Sequence, residues 1–441
     1  MAGHRVNIFW FRRDLRLEDN AGLYHALRAG LPVLPVFIFD KQILDQLDNK
    51  EDRRVGFIYR ALENLQKKIV DMGSSMLTIY DTPGNAFEML IQKYEVVSVF
   101  TNRDYEPYAI KRDENIKALL KKYGVEFSDF KDQVIFDRNE VVKDNGEPYT
   151  VFTPYSKKWK SGLSDFFLNS YPTEKYFKQF VLIEAIPLIP IEEIGFRRAP
   201  ADFPDASPDE DIIRHYHETR DFPAIKGTTR LGIHLRFGTI SIRKLAAVAL
   251  QLNSTYLNEL IWRDFFQMIL WNFPRVGKGH SFKPEYENIA WRNNESDFEK
   301  WREGKTGYPL VDAGMRELAT TGYMHNRLRM VTASFLAKHL LIDWRWGEAW
   351  FAEKLLDFDL AANNGGWQWA AGCGCDAAPY FRIFNPTLQA KKFDPDLIYT
   401  RHWVPELDSF SYPSPIVDHE FARKRCLEVY GIALGKESPK D

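Results

Sequence analysis

The strongest constraint on the fold of this 441-residue sequence is a change of rhythm partway along it. Over residues 1–130, short β-branched or aromatic runs alternate with helical segments. The runs are VNIFWF (6–11), PVLPVFIFD (32–40), SMLTIYD (75–81) and VVSVFTN (96–102); the segments between them, such as 53–72 and 107–123, carry apolar residues at helical spacing beside charged faces. That alternation predicts βαβ units and an α/β doubly wound parallel sheet. No GxGxxG follows the first run, so the dinucleotide fingerprint is missing. Ligands of such sheets sit at the carboxyl ends of the strands. The loop Phe11-Arg12-Arg13-Asp14-Leu15-Arg16 is therefore either a ligand edge or a set of ion pairs fixing the sheet to its neighbour.

The rhythm weakens over 155–208, where prolines fall among acids and small residues, and this stretch reads as a long connection. From about 209 onward strand signals are scarce, while 241–252, 254–272, 308–321, 326–343 and 348–356 have apolar spacings of three and four. The expected organisation is an α/β domain over 1–130, an interdomain connection over 131–208 and an all-helical domain over 209–441. Hydrophobic residues at 45% and charged residues at 27% describe a soluble globular protein. No apolar run is long enough for a membrane helix, and the N-terminus lacks the features of a signal peptide, so the expected location is cytoplasmic. Cys373, Cys375 and Cys426 are too few for a disulfide framework and lack a second ligand cluster for zinc, which leaves them as small buried apolar residues.

A formal net charge of −2 excludes a protein coated in positive charge. Its distribution says more. Between Asp221 and Glu259 lie Lys226, Arg230, Arg236, Arg243 and Lys244 with no acid, and 148–164, 265–284 and 377–393 are also basic and acid-free. Such patches are either a converging phosphate-binding surface or ordinary solvated faces. The first 13 residues of 357–382, DFDLAANNGGWQWAAGCGCDAAPYFR, mix two aspartates, two asparagines, Gly365-Gly366 and two tryptophans. The glycines remove side chains where a backbone or ligand comes close, and the Asn and Asp groups supply the donors and acceptors that a flat polar ring needs. A helix junction with a Trp-rich core is the alternative.

Several motifs together resemble the photolyase/cryptochrome family: FWFRRDLRLEDNAGL (9–23), PYTVFTPY (148–155), NELIWRDFF (258–266), WREGKTGYPLVDAGMREL (301–318), GYMHNRLRMVTASFLAKHLLIDWRWGE (322–348) and DLAANNGGWQWAAGCGCDAAPYFRIFNP (359–386). The resemblance covers nearly the whole chain. It implies an N-terminal antenna domain, a helical domain holding FAD, and light-driven chemistry. The pattern is most similar to bacterial class I-type enzymes that repair cyclobutane pyrimidine dimers, which carry Glu and Trp three apart in ELIWR, here Glu259 and Trp262, and Asn in HNRLRM, here Asn326. The (6-4) photoproduct enzymes and animal cryptochromes typically have Gln and a second His at those positions.

By the same resemblance, Trp262 is the platform for a flipped-out dimer, Glu259 hydrogen-bonds its base edge, Asn326 lies beside it, and Met330, one turn later, lines the cavity. Glu259 and Trp262 at i and i+3 share a helix face, and an apolar pocket would favour the protonated carboxyl. The resemblance places Asn363 at the flavin N5, pairs Asp357 with Arg329 over the ring, and adds Asp359, Asn364 and Arg263 to the binding set. Phosphate and ribityl contacts are implied for Tyr216 and for Thr228, Thr229, Arg230, Leu231 and Gly232. That segment departs from the family pattern, because Thr229 and Gly232 stand where serines are usual. Trp367, Trp344 and Trp291 match the chain that carries electrons to the flavin. Trp262, Asn326, Arg327, Trp369 and Arg382 are the implied DNA contacts. An antenna chromophore, either methenyltetrahydrofolate, a deazaflavin or FMN, is expected in the cleft between domains; Glu106 lies near a folate-contacting position, which favours folate.

The expected function is therefore light-driven repair of dimers in UV-damaged DNA, single- or double-stranded, by a monomer located in the cytoplasm and nucleoid. Blue-light signalling by a cryptochrome and (6-4) photoproduct repair are the alternatives. Glu259, Asn326 and the mere 11 residues after Tyr430 count against signalling. A dark electron-transfer flavoprotein leaves Glu259 and the basic patches without a task.

Overall fold

A computed structural model of the chain describes residues 5–200 and 202–435, so the first four residues of the leader reading and the last six of the tail lie outside the described residues. The chain forms two compact units. The first comprises Met1–Asp137, Leu163–Pro208 and Arg230–Val248; the second comprises Arg138–Gly162, Asp209–Thr229 and Ala249–Asp441.

The first unit is built on five parallel strands, β1 (Arg5–Phe11), β2 (Val33–Asp40), β3 (Leu77–Asp81), β4 (Glu95–Asn102) and β5 (Glu126–Phe130), in the order β3-β2-β1-β4-β5. Helices α1 (Ala21–Arg28), α2 (Arg53–Asp71), α3 (Pro83–Lys93) and α4 (Pro107–Lys122) make the crossovers. β1 and β2 are buried almost throughout. Covered on both faces, they read as continuous apolar runs without alternation. β5 has no counterpart among the sequence runs: EFSDF is an edge strand, half-buried, with charged residues interleaved, and its apolar signal is correspondingly thin.

The strand order reverses between β1 and β4, which opens a crevice at their carboxyl ends. Gly22, at the start of α1, packs against that edge. A Cβ there would lie 2.9 Å from the Phe9 ring, the Asn102 side chain and the Thr101 carbonyl oxygen, so the helix approaches the sheet only because the side chain is missing. The arginine-rich loop after β1 is held by acids of the same unit: Arg12 on Asp113 at 2.5 Å, Arg13 on Asp104 and Glu106 at 3.2 and 2.9 Å, and Arg16 on Asp132 at 2.7 Å. Asp132 also receives Arg243. Burial alone would raise the Asp132 carboxyl; Arg16 and Arg243 together pull it below its ordinary value. From the proline-rich stretch, Val181 and Ile186 donate backbone hydrogen bonds to the Val33 carbonyl and Ser75 hydroxyl.

The second unit is helical among the described residues, as the spacing of its apolar positions predicts. The helices that shape its site are α5 (Phe152–Gly162), α6 (Ser254–Asn272), α7 (Pro309–Thr321), α8 (Asn326–Ser334), α9 (Trp344–Lys354) and α10 (Leu360–Ala371). One large core cluster includes Trp301, Leu328, Trp344, Phe351 and Trp367. The helix expected over 326–343 is interrupted. Its α-helical part stops at Ser334, a π-helical turn runs from Phe335 to His339, and Leu341 has φ +51°. Apolar spacing continues through the turn because Lys338 and His339 are buried along with their neighbours, so periodicity does not register the break. The helix expected over 348–356 begins at Trp344, where the Asp343 side chain accepts the Arg345 N–H as a cap. No helix among the described residues is long and apolar enough to cross a membrane.

Candidate active site

On α6, Glu259, Trp262, Arg263, Phe266 and Gln267 recur at i, i+3, i+4, i+7 and i+8 and therefore share one face. The helix is fixed at its start by Asn253, whose side chain accepts from the Thr255 and Tyr256 N–H groups. Glu259 is half-buried and pairs with Arg220 at 2.5 Å. Burial pushes its carboxyl above the ordinary range, and the Arg220 guanidinium pulls the other way. Arg220 also lies over the Tyr216 ring, which meets Tyr256 edge-on; burial lifts the Tyr256 phenol to about 12. The Tyr256 hydroxyl is 2.9 Å from Thr229 Oγ1, so the threonine that departs from the family pattern is still engaged.

A second string of contacts starts one residue earlier. Thr228 Oγ1 is 3.1 Å from the Tyr323 hydroxyl, and the Arg329 guanidinium lies over the Tyr323 ring. Arg329 is paired with Asp357 at 3.0 Å and donates to the Met324 carbonyl. Burial works against the Arg329 charge, and Asp357 outweighs it, leaving the guanidinium above its ordinary value. Asp359 caps α10 through the Ala362 N–H and accepts Gln267 Nε2 at 3.1 Å, which ties α10 to α6. Asn363 donates to the Glu348 carbonyl oxygen, and Asn364 donates to the Glu348 carboxyl at 3.0 Å and receives Gln368.

The two glycines of α10 differ. A Cβ on Gly365 would lie 2.3 Å from the Phe266 ring, whereas one on Gly366 would meet nothing within 4 Å. Only Gly365 thus answers to a close approach within the protein.

Asn326 is exposed at the start of α8, with Met330 half-buried one turn on. Arg327 pairs with Asp221 at 2.7 Å, beside Arg220 in sequence. Trp369 and Phe384 are ring neighbours. Arg382 is exposed, and its carbonyl accepts Lys338 Nζ at 2.8 Å; burial lowers that ammonium to about 8. Trp344 and Trp367 are buried in the same core cluster, against which Trp291 packs. The ring contacts of Trp367 are to Trp301 and Phe351, and that of Trp291 is to Tyr430. Cys373, Cys375 and Cys426 are unbridged and buried, each thiol raised by burial to about 12.

Not all the expected residues fall in this unit. Arg230, Leu231 and Gly232 belong to the first unit, with Arg230 at φ +54° and Gly232 opening a short helix. Glu106 is also there: it holds Arg13 and Arg236 and lines a cavity of about 190 Å³ at the carboxyl ends of β1 and β2. Sequence reasoning assigned no role to Arg220, Tyr323, Gln267, Glu348 or Phe152. Arg220 is four residues beyond Tyr216, one helical turn, which is the one local signal that could have found it.

The polar lining suits FAD. Amides, hydroxyls and the paired guanidiniums of Arg220 and Arg329 make up these contacts, and the buried atoms Asn258 Oδ1, Gln267 Oε1 and Trp367 Nε1 have no protein hydrogen-bond partner. Residues 256–431 match the family model described as the FAD binding domain of DNA photolyase, and residues 7–174 match that of DNA photolyase. The chain belongs to the DNA photolyase family.

Among its relatives is the deoxyribodipyrimidine photo-lyase of Escherichia coli, 37% identical over 97% of this chain and 99% of the relative. The protein of that name from Halobacterium salinarum is 34% identical over 98% of this chain and 100% of the relative. A solved bacterial class III photolyase from Agrobacterium tumefaciens superposes with a TM-score of 0.87 at 32% identity, covering 98% of both chains. An archaeal photolyase from Sulfolobus tokodaii, solved with two FAD molecules, gives 0.81 at 33% identity, covering 98% of this chain and all of that one.

Proposed function

We propose that this protein repairs cyclobutane pyrimidine dimers in DNA by light-driven electron transfer. The observation that carries the reading is the shared α6 face, on which a half-buried carboxyl, Glu259, stands one turn from an indole, Trp262. FAD, when bound in its reduced form, supplies the photoexcited electron that opens the cyclobutane ring and is then returned. Arg329, Asp357, Asp359, Arg263, Asn363 and Asn364 hold and orient it, with Tyr216, Thr228 and Thr229 as the phosphate and ribityl contacts. The dimer leaves the helix stack and rests on Trp262, with Asn326 and Met330 beside it. Glu259 hydrogen-bonds the base edge. Burial favours its protonated form, and the Arg220 pair holds the carboxyl in place until substrate arrives. Arg327, Trp369, Arg382 and the lysines of α5 meet the DNA. Trp367, Trp344 and Trp291 carry reducing electrons inward from the surface. The protein acts as a monomer on DNA in the cytoplasm.

The cavity beside Glu106 is the candidate antenna site. Arg12, Arg13, Arg112 and Arg236 all line it. Asp40, Asp104 and Glu106 line it too, and its guanidiniums suit the carboxylates of a folate as well as the phosphate of an FMN or a deazaflavin.

The test is to incubate the reduced protein with a dimer-containing oligonucleotide, with and without blue light, and to quantify restored thymines. Restoration only in the light is expected, and its absence refutes repair. Glu259→Ala is expected to lower repair yield far more than FAD content; equal repair refutes its role.

A further inference from the structure

Resting on the repair reading, we infer that Phe152 is a positioning residue for dimer recognition: it sets the plane of Trp262 and is itself set by Asp376. The two rings lie 3.7 Å apart between centroids and 3° from parallel. Aromatic pairs left to themselves prefer offset or edge-on arrangements, so this near face-on stack is imposed by the surrounding chain. Phe265 supplies part of that constraint, meeting Trp262 edge-on at 5.5 Å and Phe152 at 5.9 Å.

The rest comes from the backbone. Phe152 is the first residue of α5, where an N–H has no acceptor inside the helix. That N–H donates to Asp376 Oδ2 at 3.0 Å. Asp376 has φ +47°, a left-handed conformation that a non-glycine residue keeps only where its surroundings hold it. A carboxylate at a helix start also opposes the positive end of the dipole. The chain of support therefore runs from Asp376, through the first turn of α5, to the Phe152 ring and the indole.

The consequence concerns binding. Trp262 is only half-buried, and a long aromatic side chain on one helix face would otherwise sample several rotamers. Any ligand stacking on it would then have to freeze that motion. With one face already covered by Phe152, the platform is preset, and the dimer meets a fixed plane.

The test measures dark binding of the FAD-loaded protein to dimer-containing and undamaged oligonucleotides. Phe152→Leu keeps the apolar volume and removes the ring. It should weaken dimer binding about 3- to 10-fold, the scale of one aromatic pair, with FAD content and undamaged-DNA affinity unchanged. Phe152→Tyr should restore the lost affinity. Asp376→Ala should move dimer binding in the same direction and add little when combined with Phe152→Leu, because both act through one ring. Wild-type dimer affinity in Phe152→Leu, additive losses in the double variant, or a parallel loss of FAD and undamaged-DNA affinity would each overturn the inference while leaving repair intact. If the wild-type protein itself shows no preference for dimer DNA, the repair reading fails and takes the inference with it.

Discussion

The Arg220–Glu259 pair makes a prediction whose size and pH dependence both follow from its setting. Charge centres about 4 Å apart in surroundings of effective dielectric near 20 attract by about 4 kcal/mol. The two side chains are 24% and 30% exposed, so solvent screening and desolvation offset part of this, leaving about 2 kcal/mol. Arg220→Met removes the attraction and strands the carboxylate. The pH dependence has a definite sign. Burial raises the folded-state value of Glu259, so the folded protein holds this proton where the unfolded chain releases it. Stability contributed at this site falls as pH rises from the ordinary glutamate value through the raised one, and stays low above it. Arg220 is the group pulling that value down, so its removal widens the window upward. Denaturant unfolding of the FAD-bound protein, followed by flavin release and far-UV circular dichroism, should show a loss of about 2 kcal/mol at pH 8 and a smaller one at pH 5, where the lone carboxyl protonates. Adding Glu259→Gln should recover half or more of the loss at pH 8. Equal losses at both pH values, or a double variant no more stable than Arg220→Met, would show that the pair is not the source.

Two further perturbations probe other parts of the site. Trp344→Phe should slow photoreduction of the oxidised flavin, followed by its absorbance under blue light, far more than it changes repair by chemically reduced protein. Gly365→Ala drives a Cβ into the Phe266 ring at 2.3 Å and should cost about 1–3 kcal/mol in denaturant unfolding, whereas Gly366→Ala, with nothing within 4 Å, should gain about 0.5–1 kcal/mol.

What sequence pattern conveys here depends on how local its cause is. β1 to β4 and most of the helices are visible because burial of their own residues writes the apolar spacing. β5 is not, because EFSDF interleaves acids with its aromatic residues, whereas β3, an edge strand just as half-buried, keeps the run LTIY. The break after Ser334 is hidden for the opposite reason: the π-helical turn buries everything it contains, so the apolar rhythm runs straight through it. The site divides in the same way. Glu259 and Trp262 share a face because three residues make most of a helical turn, and that needs no knowledge of the fold. Arg220 reaches Glu259 across 39 positions, Phe152 reaches Trp262 across 110, and the Phe152 N–H reaches Asp376 across 224; no spacing rule links residues on separate elements. The motif containing Phe152 was legible as a family string, yet a string carries no plane angle, and a 3° stack is a fact about two helices meeting. The groups to which the proposed function gives the chemistry are thus written locally on α6 and α10. The groups that hold them in position are written elsewhere, in an arginine, a phenylalanine and an aspartate whose partners only folding supplies.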